Sequence, residues 1–295
     1  MEYILITPAK NEEKFLPLVA ESLINQTSKP IFWFIIDDGS SDETPSIIKN
    51  LENLYPWIKS VRLPPHPRDL YYHYSYVCKE GFDHAISYTK NGGLSFKYIG
   101  LIDADTVVSN DYFEKLILEF NKNEKLGIAS GVIYDKIGES IEKTSGSYLP
   151  RGTGRIWTEK CFIDTDGYIV EAAAHSISNT RAILKGYDIK IFEHIEAIQL
   201  RPTRSAEGLW KTFMKDGWLA YYLNKHPLLV IMNAASFTFK KPYYLGIPYF
   251  IGYLNSVIHR MPKIEDREIR DYYWNVRLME YKGVVKRKIK SFFYK

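Results

Sequence analysis

The chain carries the segment Lys97-Tyr98-Ile99-Gly100-Leu101-Ile102-Asp103-Ala104-Asp105, which predicts a buried strand that ends in two carboxylates. Residues i and i+2 of a strand point to the same face, so Asp103 and Asp105 leave the strand together. Hard cations such as Mg²⁺ take oxygen ligands and often complete their coordination with phosphate groups. The segment therefore predicts a divalent cation site at the end of this strand.

Strand-like and helix-like patterns alternate on both sides of this segment, and the run Ser40-Ser41-Asp42-Glu43 matches a capping box at a helix start. This alternation predicts an α/β fold in which a mainly parallel sheet has helices on both faces. Ligands of such folds bind at the carboxyl ends of the strands. The predicted strands are 3–7, 31–36, 58–63, 98–102 and 126–133, and the predicted helices are 12–25, 41–54, 74–89 and 112–121.

Two other predicted strands also end in polar turns, in the segments 7–13 (Thr-Pro-Ala-Lys-Asn-Glu-Glu) and 35–42 (Ile-Ile-Asp-Asp-Gly-Ser-Ser-Asp). Each turn has a simpler interpretation by itself, because Asn11 and Glu12 can begin a helix and Asp37-Asp38-Gly39-Ser40 can form a capped turn. The carboxyl ends of parallel strands meet at one sheet edge, so we expect all three acidic segments to line one cleft.

A calcium loop that starts at Asp103 is excluded by its own spacing. Glu114 stands at the twelfth position of such a loop, but Val107 replaces a ligand and Val108 replaces the glycine that the loop requires.

Composition narrows the class of protein. A net charge of +4 over 295 residues does not predict nucleic-acid binding. Cys78 and Cys161 lack metal-type spacing, which predicts free thiols in a reducing compartment. The first residues lack the pattern of a signal peptide, so we expect a cytoplasmic protein. No stretch reaches the roughly 20 apolar residues of a spanning helix, although 227–239 and 242–258 are uncharged.

The three acidic segments together resemble glycosyltransferase family 2, whose members have the GT-A fold and use nucleotide sugars. The resemblance covers residues 1 to 133 and implies that Mg²⁺ or Mn²⁺ binds the donor diphosphate. Asp103 would approach the ribose or the metal, and Asp105 would be the main metal ligand. The residues implied in nucleotide-sugar binding are Pro8, Ala9, Asn11, Glu12, Asp38 and Asp103.

The resemblance also implies an inverting mechanism with one general base, and here the sequence departs from the family pattern. His175 stands where relatives carry an acidic residue, and a neutral imidazole can act as a base near pH 7. A structural role for His175 stays open. Glu171 is the next candidate, followed by Glu193 and Glu196.

Arginine side chains in the second half are candidates for the diphosphate, because guanidinium groups match phosphate oxygens. Arg201 and Arg204 lie in a segment similar to one found in family members with a short carboxyl-terminal extension. Surface arginines around a proline turn are the alternative. Arg155 is a weaker candidate for the same role.

The expected organisation is a GT-A catalytic domain over residues 1–225 and a helical extension over 226–295. Within the domain, 1–133 is the nucleotide-sugar half and 134–225 the acceptor half. The tail 282–295 mixes basic and aromatic residues, so it is either a solvated tail or a peripheral contact with the inner face of the cell membrane.

The expected activity transfers a sugar from a nucleoside diphosphate donor to a glycan or lipid-linked acceptor. Two alternatives stay open. A sugar nucleotidyltransferase is disfavoured because no glycine-rich phosphate loop is present near the amino terminus. A non-catalytic nucleotide-binding protein at the membrane is the second alternative, since His175 replaces the usual acid.

Overall fold

The computed structural model describes residues 2–66, 71–143, 149–201, 208–239 and 241–279. The chain divides into two compact units, Met1–Thr203 and Arg204–Lys295. The predicted boundary at residue 225 lies inside the second unit, and the extent of the catalytic domain stays a prediction.

The first half of the chain largely alternates strands and helices, as the sequence pattern predicts, and the first unit continues with further strands and helices that were not predicted. Its strands are β1 (Tyr3–Ala9), β2 (Phe32–Asp37), β3 (Ile58–Arg62), β4 (Tyr98–Leu101), β5 (Thr106–Val108), β6 (Leu126–Ile137), β7 (Ser140–Lys143), β8 (Arg155–Thr158) and β9 (Asp188–Gln199). Its helices are α1 (Leu16–Ile24), α2 (Thr44–Leu54), α3 (His73–Asn91), α4 (Tyr112–Lys122), α5 (Glu159–Asp164) and α6 (Ala174–Leu184).

The described strands form one sheet in the order β3-β2-β1-β4-β8-β6-β9-β5, with β7 paired to β6. Strands β3, β2, β1 and β4 are parallel, and so are β6 and β9. The pairings of β8, β7 and β5 are antiparallel. The α/β prediction is confirmed, and β1, β2 and β4, which precede the predicted polar turns, are the parallel strands that it requires.

The sheet has a hydrophobic core on each face. Along β1, Tyr3 and Leu5 pack with α1 and α4, whereas Ile4 and Ile6 pack with α3, α5 and α6. This alternation follows from the period of two in a strand, and it explains why the strand sequences are apolar throughout.

Two helices start later than the sequence pattern predicts, and the capping-box prediction is wrong. Helix α2 begins at Thr44 after Glu43, without a side-chain cap, and α1 begins at Leu16 instead of residue 12. The polar groups expected to cap these helices bond across the two turns instead. Long-range contacts therefore outcompete the local helix signal at both places.

The second unit is helical in its described residues. Its elements are α7 (Leu209–Tyr222), α8 (Pro227–Thr238), α9 (Gly246–Ile258), α10 (Arg267–Asp271) and a π-helical turn (Tyr272–Val276). None of the helices in the described ranges has the length and apolar character needed to cross a membrane. The tail 282–295 lies outside the described residues.

Candidate active site

The turns after β1 and β2 are joined by hydrogen bonds between backbone and side chains. The Asn11 N–H donates to Ser40 Oγ at 2.9 Å, and the Ser41 N–H donates to Asn11 Oδ1 at 2.8 Å. The Glu12 N–H donates to Thr44 Oγ1 at 2.8 Å. Asn11 has a φ of 56°, a conformation that asparagine tolerates better than most residues. Asn11 and Glu12 are thus bonded to the turn that follows β2 and do not begin a helix.

Pro8 and Ala9 belong to the end of β1 and hold the neighbouring turn in register. Pro8 pairs with Ile36 in the sheet, and the Asp38 N–H donates to the Ala9 carbonyl at 2.8 Å. Both residues therefore lie directly beside the acidic turn that follows β2.

The acidic turn needs Gly39 for two reasons. Gly39 has a φ of +62°, and a Cβ on it would lie 2.6 Å from the Pro65 Cα. A side chain at this position would be strained and would also collide with backbone. The turn can therefore form only with glycine between Asp38 and Ser40.

Asp38 is buried in a cluster of cationic and aromatic groups. Its carboxylate lies 2.8 and 2.9 Å from His73 Nε2 and 3.0 Å from Lys10 Nζ. The His66 ring stacks on His73 with 4.5 Å between centroids. Lys10, His66 and His73 are not predicted from the sequence, because no spacing links them to Asp38.

Asp37, in contrast, is held by its own turn. The Ser40 N–H donates to Asp37 Oδ1 at 2.9 Å, and Arg62 Nε lies 3.3 Å from the other oxygen. Asp37 therefore shapes the turn, and the role of Asp38 in ligand binding stays a prediction.

Asp103 and Asp105 lie between β4 and β5, as the strand prediction requires. Tyr74 donates its phenolic hydrogen to Asp103 Oδ1 at 2.6 Å, and the Asp103 N–H donates to Thr153 Oγ1 at 2.9 Å. Asp105 is buried, and one of its oxygens lies 3.1 Å from Arg201 Nη2. Tyr74 and Thr153 come from distant segments and carry no signal in the sequence.

Arg201 links the first turn to the aspartate pair. Its Nη2 donates to Glu12 Oε1 at 2.6 Å and lies 3.1 Å from Asp105 Oδ2. The other carboxylate oxygen of Glu12 is buried without a hydrogen-bond partner among the described residues. Arg201 therefore reaches the predicted site, whereas Arg204 lies outside the described residues.

The site holds more buried negative charge than its arginine balances. Burial, with the nearby charge of Asp105, raises the pKa of Asp103 to about 7. Burial also raises the pKa of Asp105 and of Glu12, although Arg201 opposes both shifts. A bound cation would relieve this repulsion, because it favours the ionised form of every carboxylate near it.

The donor set fits a hard cation that shares its coordination with a ligand. Asp103 and Asp105 offer carboxylate oxygens, the ligands that Mg²⁺ and Mn²⁺ prefer. Nowhere in the described ranges do three or more His, Cys, Asp or Glu side chains gather into a complete metal site. Further ligands would therefore come from water and from a phosphate group.

His175 contacts Tyr74, the residue that donates a hydrogen bond to Asp103. It is the second residue of α6, whose start follows Ala173 with a φ of 62°. The Tyr74 ring meets the His175 ring edge-on at 6.3 Å, and His175 Nδ1 lies 3.5 Å from the Tyr168 hydroxyl. The same tyrosine thus contacts both the imidazole and Asp103.

The other predicted bases lie in different surroundings. Glu171 is half-buried in the turn that leads into α6. Glu193 and Glu196 are exposed on β9, where Lys143 pairs with the first and the Tyr134 hydroxyl donates to the second. Their solvent-facing positions favour His175 and Glu171, whose roles stay predictions.

Arg155 is a structural residue, and its prediction as a phosphate ligand is wrong. It is fully buried, and burial lowers its pKa to about 10. Its guanidinium donates to Asn179 Oδ1 at 2.7 Å and to the His175 carbonyl at 3.3 Å. It therefore supports the first turn of α6 from inside the core.

Comparisons with known proteins give matches in sequence and in fold. The family model described as "Glycosyl transferase family 2" matches residues 4–192. The minor teichoic acid biosynthesis protein GgaA of Bacillus subtilis is 28% identical over 141 residues, which are 45% of this chain and 28% of the relative. The chain thus spans less than a third of that protein's length.

Solved structures share the fold. The 1–349 region of TarS from S. aureus, in complex with UDP-GlcNAc, has a TM-score of 0.56 at 15% identity over 89% of this chain and 82% of that one. The mannosyltransferase PcManGT from Pyrobaculum calidifontis, in complex with GDP-Man and Mn²⁺, has a TM-score of 0.57 at 12% identity over 88% and 87%. The predicted GT-A architecture is confirmed by these matches.

Proposed function

Because the chain belongs to glycosyltransferase family 2, we propose that it transfers a sugar from a nucleoside diphosphate to an acceptor hydroxyl, with a divalent cation on the diphosphate. The chain is a glycosyltransferase, and the proposal concerns its donor, metal and acceptor. The observation that carries it is the meeting of the acidic turns at one edge of the sheet, where Arg201 contacts both Glu12 and Asp105 and the Asp38 N–H donates to the Ala9 carbonyl.

We propose that Asp38 receives the nucleoside. A buried carboxylate accepts hydrogen bonds from ring N–H or ribose hydroxyl groups, and Lys10 and His73 hold this one in position. Pro8, Ala9, Asn11 and Glu12 lie in the adjoining segment. Their role would be to fix the nucleoside so that the diphosphate points toward Asp103 and Asp105.

We propose that Asp103 and Asp105 hold Mg²⁺ or Mn²⁺ against the diphosphate. The bound ion would supply Lewis-acid stabilisation of the leaving group. The excess of buried carboxylates and the Mn²⁺ in the PcManGT complex support this choice. Tyr74 and Thr153 would orient Asp103 through the hydrogen bonds that they make to it.

Arg201 would serve the same leaving group. Its guanidinium lies between Glu12 and Asp105, and guanidinium groups form paired hydrogen bonds with phosphate oxygens. Because charge on the diphosphate grows as the glycosidic bond breaks, an arginine here would stabilise the transition state more than the ground state.

We propose His175 as the general base and Glu171 as the alternative. A base must reach the acceptor hydroxyl on the side of the sugar opposite the diphosphate. The contact of His175 with Tyr74 supports this role, and its backbone is anchored by Arg155. The inverting course comes from the family resemblance.

The acceptor that we propose is a surface glycan or a lipid-linked chain. The similarity to a teichoic acid biosynthesis protein supports this class of acceptor. For the donor, the two structural relatives bind a UDP-sugar and a GDP-sugar, so both nucleotides belong in the test.

The test measures nucleoside diphosphate released from a panel of UDP-, GDP- and TDP-sugars in the presence of Mn²⁺. We expect release from one donor by the wild type, and loss of that release in Asp105→Asn and after chelation of the metal. Release that persists in Asp105→Asn would contradict the proposed metal site. If a nucleoside triphosphate and a sugar phosphate gave pyrophosphate instead, the protein would be a nucleotidyltransferase.

A further inference from the structure

Helix α9 exposes large apolar side chains along one face. It contains no charged residue, and Ile247, Ile251, Leu254 and Ile258 are 52, 41, 40 and 73% exposed. Their spacing of four, three and four residues places them in one stripe along the helix. Exposed apolar surface of this kind on a helix marks a site of interaction with a protein or a membrane.

The opposite face of α9 packs against α7 and so holds the apolar stripe on the exposed side of the helix. Gly252 and Tyr253 are buried, and a Cβ on Gly252 would lie 2.1 Å from the carbonyl oxygen of Met214 in α7. A Cβ on Gly217 of α7 would likewise lie 2.0 Å from the Tyr249 carbonyl oxygen. Because the two backbones touch, α9 cannot rotate to bury its isoleucines.

The neighbouring helix α8 repeats this pattern. It packs on α9, it has no charged residue, and its Leu228 and Ile231 are 43 and 53% exposed. Phe239, just after its end, is 83% exposed. We call Leu228, Ile231, Phe239 and the four α9 residues the apolar surface of the second unit.

Charge separates the second unit from the first. Residues 204–295 contain 17 Lys and Arg against 7 Asp and Glu, a net charge of +10. Residues 1–203 contain 22 against 28, a net charge of −6. Exposed Lys241 precedes α9 by five residues, and exposed Arg260 follows it by two. Positive charge around an apolar helix face is the pattern of segments that bind anionic lipid surfaces.

We propose that the apolar surface of the second unit docks the enzyme on an anionic lipid bilayer. Helix α9 lies in the plane of the interface, its isoleucines enter the boundary between headgroups and acyl chains, and the basic residues contact lipid phosphates. With 13 residues, α9 is about 20 Å long and does not span the hydrocarbon core. The proposal goes beyond the proposed transfer reaction, because it concerns none of the residues assigned to the donor.

The first experiment measures co-sedimentation with vesicles of phosphatidylcholine, alone or mixed in equal parts with phosphatidylglycerol. We expect the wild type to bind the mixed vesicles, more weakly at high salt, since exposed charges are screened. The double variant Ile251→Glu/Ile258→Glu should lose about tenfold or more in affinity, because two side chains no longer leave water.

The matched control is Leu54→Glu/Ile163→Glu in the first unit. These side chains are 71 and 65% exposed, so the control makes the same kind of change with the same added charge. We expect it to bind vesicles like the wild type. Circular dichroism of both double variants checks that each is folded.

A second measurement tests insertion directly. The two native cysteines are buried, so a cysteine introduced by Ile258→Cys can be labelled selectively with an environment-sensitive fluorophore. We expect its emission to shift to the blue on addition of mixed vesicles, and the same label on Ile163→Cys to stay unchanged. Binding without a shift at position 258 would overturn the proposal, since adhesion by the basic tail alone gives that result.

Three other results would also overturn it. The wild type binds neither vesicle, or both double variants bind as well as the wild type. Alternatively, light scattering shows a wild-type oligomer that Ile251→Glu/Ile258→Glu dissociates while vesicles are ignored, which assigns the surface to a second copy of the chain. Donor hydrolysis in lipid-free buffer, measured on the same proteins, tests the transferase proposal separately and should not differ between them.

Discussion

The two units of the chain distribute polar and apolar groups in opposite ways. The first unit has a net charge of −6 and brings the buried Glu12 and Asp105 and the half-buried Asp103 into contact with arginine, tyrosine and threonine side chains. The second unit has a net charge of +10 and exposes isoleucines that a solvated helix would replace with charges. Each unit carries an unfavourable feature in water that a particular ligand would relieve.

This difference assigns the proposed chemistry to the first unit and the proposed membrane contact to the second. A cation and a diphosphate would neutralise the cleft of the first unit, whereas a lipid surface would cover the apolar face of the second. Changes in one unit should therefore leave the other property intact, and the predictions below test that independence from the largest expected effect to the smallest.

Asp105→Asn should lower donor turnover by about 10²–10³-fold, the usual cost of removing one group that stabilises developing charge. Steady-state release of nucleoside diphosphate measures it. Asp111→Asn is the control, because the side-chain contacts of this aspartate, with Ser109 and Lys115, are both local. If both variants kept full activity, Asp105 would not be the metal ligand.

Gly39→Ala should destabilise the first unit by about 2–4 kcal/mol, since it adds backbone strain and a collision with Pro65. Urea unfolding followed by circular dichroism measures the loss. Gly138→Ala provides the comparison, because Gly138 has a similar φ of +61° but open space around it. Equal losses in both variants would show that the contact with Pro65 is unimportant.

Divalent cations should raise the melting temperature more at pH 8 than at pH 5.5. In the folded protein the pKa of Asp103 is raised to about 7, above its unfolded value near 4. Protonated Asp103 therefore contributes stability that is fully present below about pH 4 and is lost as the pH rises through 7. A bound cation restores it only when the carboxylates are ionised. Melting curves with and without Mg²⁺ measure the difference, which Asp103→Asn/Asp105→Asn should remove.

Tyr74→Phe should weaken metal-dependent donor binding about tenfold, because it removes one hydrogen bond to a charged group. The expected change is in the KM for metal and donor, measured at saturating concentration of the other. Tyr88→Phe, an exposed tyrosine on the same helix, is the control. An unchanged KM in Tyr74→Phe would mean that Thr153 alone orients Asp103.

Ile251→Glu/Ile258→Glu should leave the rate of donor hydrolysis unchanged. It should change the free energy of unfolding by no more than about 0.5 kcal/mol, because both sites are exposed. This prediction has the smallest expected effect, and it tests directly whether the two units act independently. A large loss of hydrolysis in lipid-free buffer would show that the apolar surface and the cleft are coupled.

Several local patterns of the sequence were sufficient to predict structure correctly. The alternation of strands and helices predicted the α/β class. The parallel direction of β1, β2 and β4 places the turns of Asn11, Asp38 and Asp103 at one edge of the sheet. The family match over residues 4–192 agrees with that reasoning. Helix starts were less predictable, because Ser40 and Ser41 bond to Asn11 instead of capping α2.

The sequence by itself predicted β1, β2, β3, β4 and β6 and the acidic residues that follow three of these strands, but not β5, β7, β8 or β9. Only the tertiary structure decided that Tyr74 holds Asp103, that His73 holds Asp38 and that Arg201 bridges Glu12 and Asp105. Tyr74 and Asp103 are 29 residues apart, and His73 and Asp38 are 35 apart. Arg201 and Glu12 are 189 residues apart. Periodicity reports only neighbours within a few residues, whereas burial brings together distant groups that must share charge and hydrogen bonds.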